Sequence, residues 1–235
     1  MTSRLILVGL LTAAVTCPAA EGSRIANTNG TDDLRLLMGV APPIRGGTIT
    51  GIRVATTPQP FDQDIEATKG VGPRGGLRYL HGFWGTPTWG FKLGGDAFVM
   101  QSKGAGHQVD SLDPTAESKP FTLNAVGMGV TAGPTFRIDI EDLDFAMDFL
   151  EVEFLGNAAP ARMTATNDGM ESEAAYGWSA GVSAGLVFTT LSRWQIGIET
   201  GYQAAQVQGL RWSNTGDATI RAGGLSAALS LGQRW

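Results

Sequence analysis

Two serines flanked by glycines are the first candidates for chemistry in this sequence. Overlapping G-x-S-x-G patterns are centred on Ser179 and Ser183. In hydrolases this pattern forms a sharp strand-to-helix turn that exposes the serine, and in α/β-hydrolases the acid and the histidine of the triad follow it in the chain. Here both patterns lie inside one continuous alternating segment, and the only histidines, His81 and His107, precede it. We therefore expect both serines to be small residues on the interior face of a strand.

Other motif-like spacings are also weak. Residues 70–75 match G-x-G-x-x-G, but a dinucleotide site needs a strand before the glycines and a helix after them, and neither is predicted here. Ser102 and His107 could approach a lipid-modifying catalytic pair, yet no local motif supports it. The single cysteine, Cys17, excludes a disulfide framework and a multi-cysteine metal site. The sequence predicts no catalytic, cofactor-binding or metal-binding residue.

The N-terminus has the layout of an export signal. Arg4 precedes an uncharged apolar run over residues 5–15, and small residues follow as far as Ala20. This order is typical of a secretory signal peptide over residues 1–20, and the run is too short for a membrane-spanning helix. A buried N-terminal element and a lipoprotein acylated at Cys17 are the alternatives. No later segment reaches 18 apolar residues, so only a β-barrel would place this chain in a membrane.

Apolar residues alternate with small or polar ones along most of the remaining chain, and a period of two predicts strands. The pattern is clearest over residues 175–190 and 194–208. A phase change at residues 149–150 and another near residues 223–224 indicate β-bulges. Eight strands are predicted at about 47–57, 76–85, 89–99, 126–138, 143–156, 175–190, 194–208 and 218–235.

The connections between these strands alternate strictly between long and short. Short turns at one end and longer loops at the other are expected of an outer-membrane barrel. The predicted fold is therefore all-β, a transmembrane antiparallel up-and-down barrel of eight strands over residues 46–235. Residues 21–45 are expected to be a periplasmic lead-in, a plug or part of the first strand, and ten strands result if residues 34–41 pair separately. The long connections are 58–75, 103–119, 158–174 and 211–217, and the short ones are 85–88, 140–143 and 191–193.

Aromatic residues indicate which face meets lipid. Tryptophan and tyrosine prefer the membrane interface, and in this layout they collect near the two ends of the barrel. This distribution favours a membrane barrel over a soluble one. The predicted interface residues are Trp84, Trp89, Trp194 and Trp235 at the short-turn end, and Tyr176, Trp178 and Trp212 at the other.

The opposite face would line a narrow interior. Eight strands leave room for little more than side chains, and buried charges must pair or meet water. A salt-bridged plug and a narrow selective pore are therefore the two alternatives. Glu151 and Glu153 share this face if the bulge lies at 149–150. The predicted interior charges are Arg53, Lys92, Asp96, Arg137, Asp139, Asp144, Asp148 and Glu199.

The export signal, the eight amphipathic strands and the aromatic end of the last strand resemble small bacterial outer-membrane β-barrels of the OmpA/OmpX type. The similarity covers residues 46–235 and is architectural, with the alternating residues 229–235 as its most specific part. It implies that the barrel-assembly machinery reads Trp235 and its alternating neighbours. It also implies location in the outer membrane of a Gram-negative cell envelope.

The net charge of −5 argues against a nucleic-acid partner. We expect a non-enzymatic integral membrane protein with a structural or partner-binding role. The alternative is a small porin-like channel for polar solutes, and a lipid-A-modifying or phospholipase-type enzyme comes third. The expected partners are outer-membrane lipid and lipopolysaccharide, the assembly machinery, and an envelope protein bound through the long outer loops. The acidic residues in those loops are solvated charge, or alternatively they bind lipopolysaccharide phosphates through divalent cations or dock a partner.

Overall fold

The computed structural model describes residues 30–53, 59–66, 70–108, 119–140, 147–167, 169–212 and 217–235, which leaves the predicted signal peptide outside the described residues. The described part is built from antiparallel strands. None of it forms a helix long and apolar enough to span a membrane. The strands are β1 (Thr31–Ala41), β2 (Ile44–Arg53), β3 (Gln59–Glu66), β4 (Gly72–Trp84), β5 (Trp89–Gln108), β6 (Lys119–Asp139), β7 (Met147–Asn167), β8 (Met170–Glu171), β9 (Ala175–Thr190), β10 (Trp194–Leu210) and β11 (Ala218–Arg234).

Eight of these strands close into a ring, which confirms the predicted barrel. The order around the ring is β1, β4, β5, β6, β7, β9, β10 and β11, and β11 pairs back onto β1. We call the end with the turns at 85–88 and 191–193 the turn end, and the opposite end the loop end. The first strand begins and the last strand ends at the turn end, where Asp32 and Trp235 exchange backbone hydrogen bonds of 3.0 and 3.2 Å.

The wall begins earlier in the chain than the sequence predicts. β1 pairs with both β4 and β11, so residues 31–41 are a wall strand, and a barrel starting at residue 46 is wrong. Pro42 and Pro43 then interrupt the strand, because proline has no N–H for the ladder. The predicted strand at 47–57 corresponds to β2, which forms a hairpin with β3. This hairpin extends the wall at the loop end, between β11 and β5.

Three strands are also longer than predicted. β5, β6 and β7 have 20, 21 and 21 residues, whereas a membrane-spanning strand needs only about 9–11. The sequence placed parts of these strands in loops over 103–119 and 158–174. Their alternation continues there, but the outward residues become polar, so the expected apolar face disappears.

The last strand, β11, shows this change of polarity although the same alternate residues face inward along its whole length. Residues 218–234 with even numbers point inward throughout, and the register against β10 is unbroken at 223–224. The phase slip predicted there is wrong. The inward side chains change from Ile220 to Ser230, while the outward ones change from Arg221 to Leu229. In β7 the irregularity in register lies between Met147 and Phe149, one step from the predicted bulge.

Candidate functional site: the filled barrel interior

A lysine lies at the centre of the turn-end interior. The Lys92 ammonium Nζ lies 2.6 Å from Asp33 Oδ2, 2.7 Å from Glu151 Oε2 and 2.5 Å from Glu153 Oε1. These side chains come from β1, β5 and β7, and all four are buried. The three carboxylates are spaced closely enough to hold a metal ion. The ammonium group already supplies the cation that they surround.

Two arginines complete this cluster. The Arg234 guanidinium donates to Asp33 Oδ1 and to Glu151 Oε2, both at 2.6 Å. The Arg35 guanidinium donates to Glu153 Oε2 at 2.6 Å and to Gln195 Oε1 at 3.0 Å. Removing any one of these charged side chains would leave an uncompensated buried charge, and breaking a buried ion pair in this way costs several kcal/mol in general. We call Asp33, Arg35, Lys92, Glu151, Glu153, Gln195 and Arg234 the lysine cluster.

Aromatic rings cap the lysine cluster at the turn end. The guanidinium carbon of Arg137 lies 3.9 Å from the centroid of the Trp84 ring and 4.1 Å from that of Phe149. Arg137 Nη2 is also 3.1 Å from Glu151 Oε1. Cation–π contacts of this kind gain strength where water is excluded. Trp84 is therefore an interior residue, and its indole Nε1 donates to Thr31 Oγ1 at 3.1 Å.

A second charged tier lies nearer the middle of the barrel. Arg78 forms ion pairs with Asp96 and with Glu199, so that β4, β5 and β10 are joined across the interior. On the loop-end side of this tier, Arg74 donates to Gln203 Oε1 at 3.0 Å, and Gln203 Nε2 donates to Ser179 Oγ at 2.7 Å. Ser179 is thus a buried interior residue, as expected from its place in the alternation.

The loop-end interior is apolar. Phe121, Leu123 and Met163 are fully buried there, in a cluster that β2, β3, β10 and β11 complete. Trp212 packs edge-on against Phe121 with ring centroids 6.2 Å apart, and its indole donates to the Met170 carbonyl at 3.1 Å. Because Glu173 N also donates to Arg211 O at 2.6 Å, the two neighbouring connections are bound together over this end.

The structure brings some of the predicted interior charges together and places others elsewhere. Lys92, Asp96, Arg137 and Glu199 are all in the interior network. Asp139 is exposed at the end of β6, so its interior placement is wrong; Asp148 is half-buried beside the bulge. The Arg53 side chain and Asp144 lie outside what the structure describes.

Sequence reasoning missed most of the interior arginines. Asp33 and Arg35 lay in the segment treated as a lead-in, although Leu34, Leu36 and Met38 alternate with them and carry a strand signal. Arg74 lay in the predicted long connection 58–75, and Arg78 lay in the predicted strand 76–85 but was not counted among the interior charges. Glu151 and Glu153 were placed on the inward face, but neither they nor Arg234 were counted among the interior charges.

The aromatic residues divide between the two faces of the wall. Trp84 and Trp212 are buried in the interior, so their predicted place at the membrane interface is wrong. Arg137 and Phe121, respectively, provide the ring contacts that hold them there. The other predicted interface residues are exposed on the outside of the barrel: Trp89, Tyr176, Trp178, Trp194 and Trp235.

The exterior of the turn-end half is an apolar band. On β6 the outward side chains from Val126 to Ile138 are apolar, and Met128 and Val130 are 73% and 63% exposed. On β11, Leu225, Leu229 and Leu231 are similarly exposed. A wall with buried charges inside and exposed aliphatic side chains outside is stable only where the exterior meets hydrocarbon.

No protein-family model matches the sequence, and no curated protein matches it. Among solved structures, the chain is similar to Ail, the attachment invasion locus protein of Yersinia pestis, in complex with the heparin analogue sucrose octasulfate. Identity is 15%, the alignment covers 88% of this chain and 99% of that one, and the TM-score is 0.40.

It is also similar to the outer membrane protein OprG from Pseudomonas aeruginosa, with 11% identity, coverage of 88% and 96%, and a TM-score of 0.41. For Neisserial surface protein A, identity is 12%, coverage is 87% and 95%, and the TM-score is 0.30. The closed ring, the charged interior and the apolar exterior band together define the fold of this chain as a small eight-stranded transmembrane β-barrel.

Proposed function

We propose that this chain is an integral protein of the bacterial outer membrane with a structural or partner-binding role, and that it is not an enzyme. The apolar band supports the membrane placement, because about thirteen residues of β6 carry it and about 9–11 suffice to cross. The loop-end half of the wall then projects outside the membrane. Its polar exterior and its connections offer the surface on which an envelope partner would bind.

The filled interior is the observation that carries this proposal. The lysine cluster, the Arg78 tier and the apolar loop-end cluster follow one another along the barrel axis. Buried ion pairs of this kind fix side chains, and close-packed aliphatic groups exclude water. A small polar solute would have to displace both. The described interior therefore supports a scaffold over a pore.

Single-channel recording in planar bilayers tests the scaffold against the porin-like alternative. We expect no steady conductance from protein whose folding is verified by heat-modifiable gel migration. A porin reconstituted at the same protein-to-lipid ratio is the positive control. Steady, reproducible conductance steps from the folded chain would establish the pore and overturn the scaffold.

Detergent dependence tests the membrane placement itself. Because exposed aliphatic side chains form a continuous band, the chain without a signal peptide should aggregate in buffer and become monodisperse in detergent micelles. Monodisperse protein in plain buffer would contradict an outer-membrane location.

The non-enzymatic assignment is supported by the surroundings of the candidate groups. His81 Nδ1 lies 2.9 Å from Asp32 Oδ1 on the outer face of the wall, whereas Ser179 is held by Gln203 in the interior. Unchanged lipid A and phospholipid mass spectra on expression of the chain are the expected result. A new deacylated or modified species would reverse the assignment.

Trp235 fits the proposed role of an assembly signal. It ends the last wall strand, is 49% exposed, and is fixed by its backbone bonds to Asp32. Trp235→Ala should therefore slow assembly in cells more than it changes the stability of refolded protein. Equal losses in both measurements would assign the residue to stability alone.

A further inference from the structure

Arginines occupy the boundary where the apolar exterior band ends. Arg45 on β2, Arg162 on β7 and Arg221 on β11 are exposed on the outside of the wall, on the loop-end side of the last apolar residues. Among the described residues, no carboxylate forms an ion pair with any of the three. By contrast, Arg211 in the connection beyond them is paired with Asp217 at 2.6 Å. Three guanidinium groups therefore lie along this boundary, and no described side chain neutralises them.

Two of these arginines lie on adjacent strands. Arg221 pairs in register with Gly46, the residue that follows Arg45, and the register shifts between Arg221 and Ala222. Arg45 Nε donates to the Gly223 carbonyl at 2.9 Å, which fixes the guanidinium against the wall, and no described residue accepts a hydrogen bond from its terminal nitrogens. Arg45 and Arg221 therefore lie on adjacent strands at the same level of the wall, and guanidinium groups suit the planar, multidentate recognition of a phosphate.

A groove for an apolar chain begins next to Arg45. The Arg45 guanidinium carbon lies 5.5 Å from the centroid of the Tyr202 ring, and Tyr202 also forms one wall of a shallow depression on the lipid-facing surface. Small residues make the floor of this depression, and a Cβ atom at Gly156 would meet no heavy atom closer than 3.8 Å. The other lining residues include Phe154, Val182, Ala184 and Thr200.

We propose that Arg45 and Arg221 bind a phosphate group of lipid A and that one acyl chain of the same lipid lies in the groove beside Tyr202. The inference rests on the proposed outer-membrane placement, in which the loop end faces the outer leaflet. Charge complementarity selects a phosphate-bearing lipid over a second copy of this chain, whose matching surface would carry the same arginines. The contact is direct, through basic residues, and needs no divalent cation.

Native mass spectrometry of the folded barrel in detergent, titrated with purified bisphosphorylated lipid A, tests this site. We expect one tightly bound lipid, and roughly tenfold weaker binding in the Arg45→Gln, Arg221→Gln double variant, since two charge-assisted contacts are lost. Arg211→Gln is the matched control, because it removes an exposed arginine outside the site and should leave binding unchanged. Titration in excess chelator should give the same affinity.

Filling the groove tests the acyl chain separately. Gly156→Leu places a side chain on the floor of the depression, where the backbone leaves space, and should weaken lipid A binding. Ala97→Leu adds the same bulk to the lipid-facing side of β5, away from the groove, and should have no effect. Phosphatidylglycerol and phosphatidylethanolamine titrations report whether the phosphate, the charge or the glycolipid is recognised.

Three outcomes would overturn the inference. They are lipid A binding that is equal in the wild type and the double variant, binding that requires divalent cations, and a preference for phosphatidylglycerol over lipid A. Each of these leaves the barrel in the membrane and so leaves the proposed function intact. Failure of the proposed function would appear as a chain that is monodisperse without detergent, whatever it binds.

Discussion

The two halves of the barrel place their polar and apolar side chains on opposite faces of the wall. In the turn-end half the exterior is aliphatic and the interior holds Lys92 among three carboxylates. In the loop-end half the exterior is polar and the interior holds Phe121, Leu123 and Met163. One strand such as β11 passes through both without changing which residues face inward. The solvent outside the wall therefore dictates the chemistry of both faces at each level.

The two halves therefore differ in the interactions that stabilise them. Against hydrocarbon, exposed aliphatic groups are favourable, and the interior is left to charges that compensate one another. Against water, the interior must instead supply the apolar burial that stabilises an ordinary soluble β-barrel. The loop-end half thus behaves as a water-soluble barrel continuous with a membrane-spanning one.

The largest expected effect comes from breaking the turn-end interior. Glu151→Ala leaves Lys92, Arg137 and Arg234 without a shared carboxylate and should destabilise the barrel by about 3–5 kcal/mol. Urea unfolding in lipid bilayers, followed by tryptophan fluorescence, measures this loss. A loss below about 1 kcal/mol, typical of an exposed pair, would mean that water fills this part of the interior.

The loop-end interior should respond to lost volume instead of lost charge. Leu123→Ala removes a fully buried aliphatic group and should cost about 2–5 kcal/mol in the same assay. Thr122→Ala on the outward face of the same strand, in the polar loop-end half, is the control and should change little. Equal effects of the two substitutions would contradict a packed interior at this level.

On the exterior, a new charge should destabilise the turn-end half much more than the loop-end half. Val130→Lys places a charge on the apolar band and should cost about 2–4 kcal/mol if it lies near the bilayer midplane. Thr164→Lys, on the outside of the loop-end half, should change the free energy of unfolding by less than about 0.5 kcal/mol. Unfolding titrations of both variants in one lipid locate the membrane boundary along β6 and β7. Similar losses would mean that no boundary lies between them.

The smallest expected effect belongs to the exposed pair of the loop end. The Arg211 guanidinium lowers the pKa of Asp217 through their hydrogen bond. The contribution of this pair is therefore present above the unfolded-state pKa of the carboxyl and is lost as pH falls through the folded-state pKa. Because both side chains are solvated, Asp217→Asn should leave stability at neutral pH unchanged in high salt. A clear loss that persists in high salt would show that the pair is buried by a partner or by lipid.

The sequence by itself determined seven of the eight wall strands, their antiparallel order and the barrel class, but it took residues 47–57 as the first wall strand in place of β1. Period-two alternation fixes which residues share a face, and short turns fix which strands are neighbours. It also placed Lys92, Asp96 and Glu199 on the inward face. It failed where the outward side chains are polar, because alternation against water looks like a loop when an apolar exterior is expected. For that reason β5, β6 and β7 were predicted too short.

Only the tertiary structure decided which charges meet and where each face changes its polarity. Asp33, Lys92 and Glu151 come from three strands far apart in sequence, and closure of the ring brings them to one level of the interior. A period of two assigns a side chain to a face of the wall, but not to a height or to a partner across the lumen. Trp84 and Trp212 were misplaced for this reason, since the partners that bury them, Arg137 and Phe121, become neighbours only when the sheet closes.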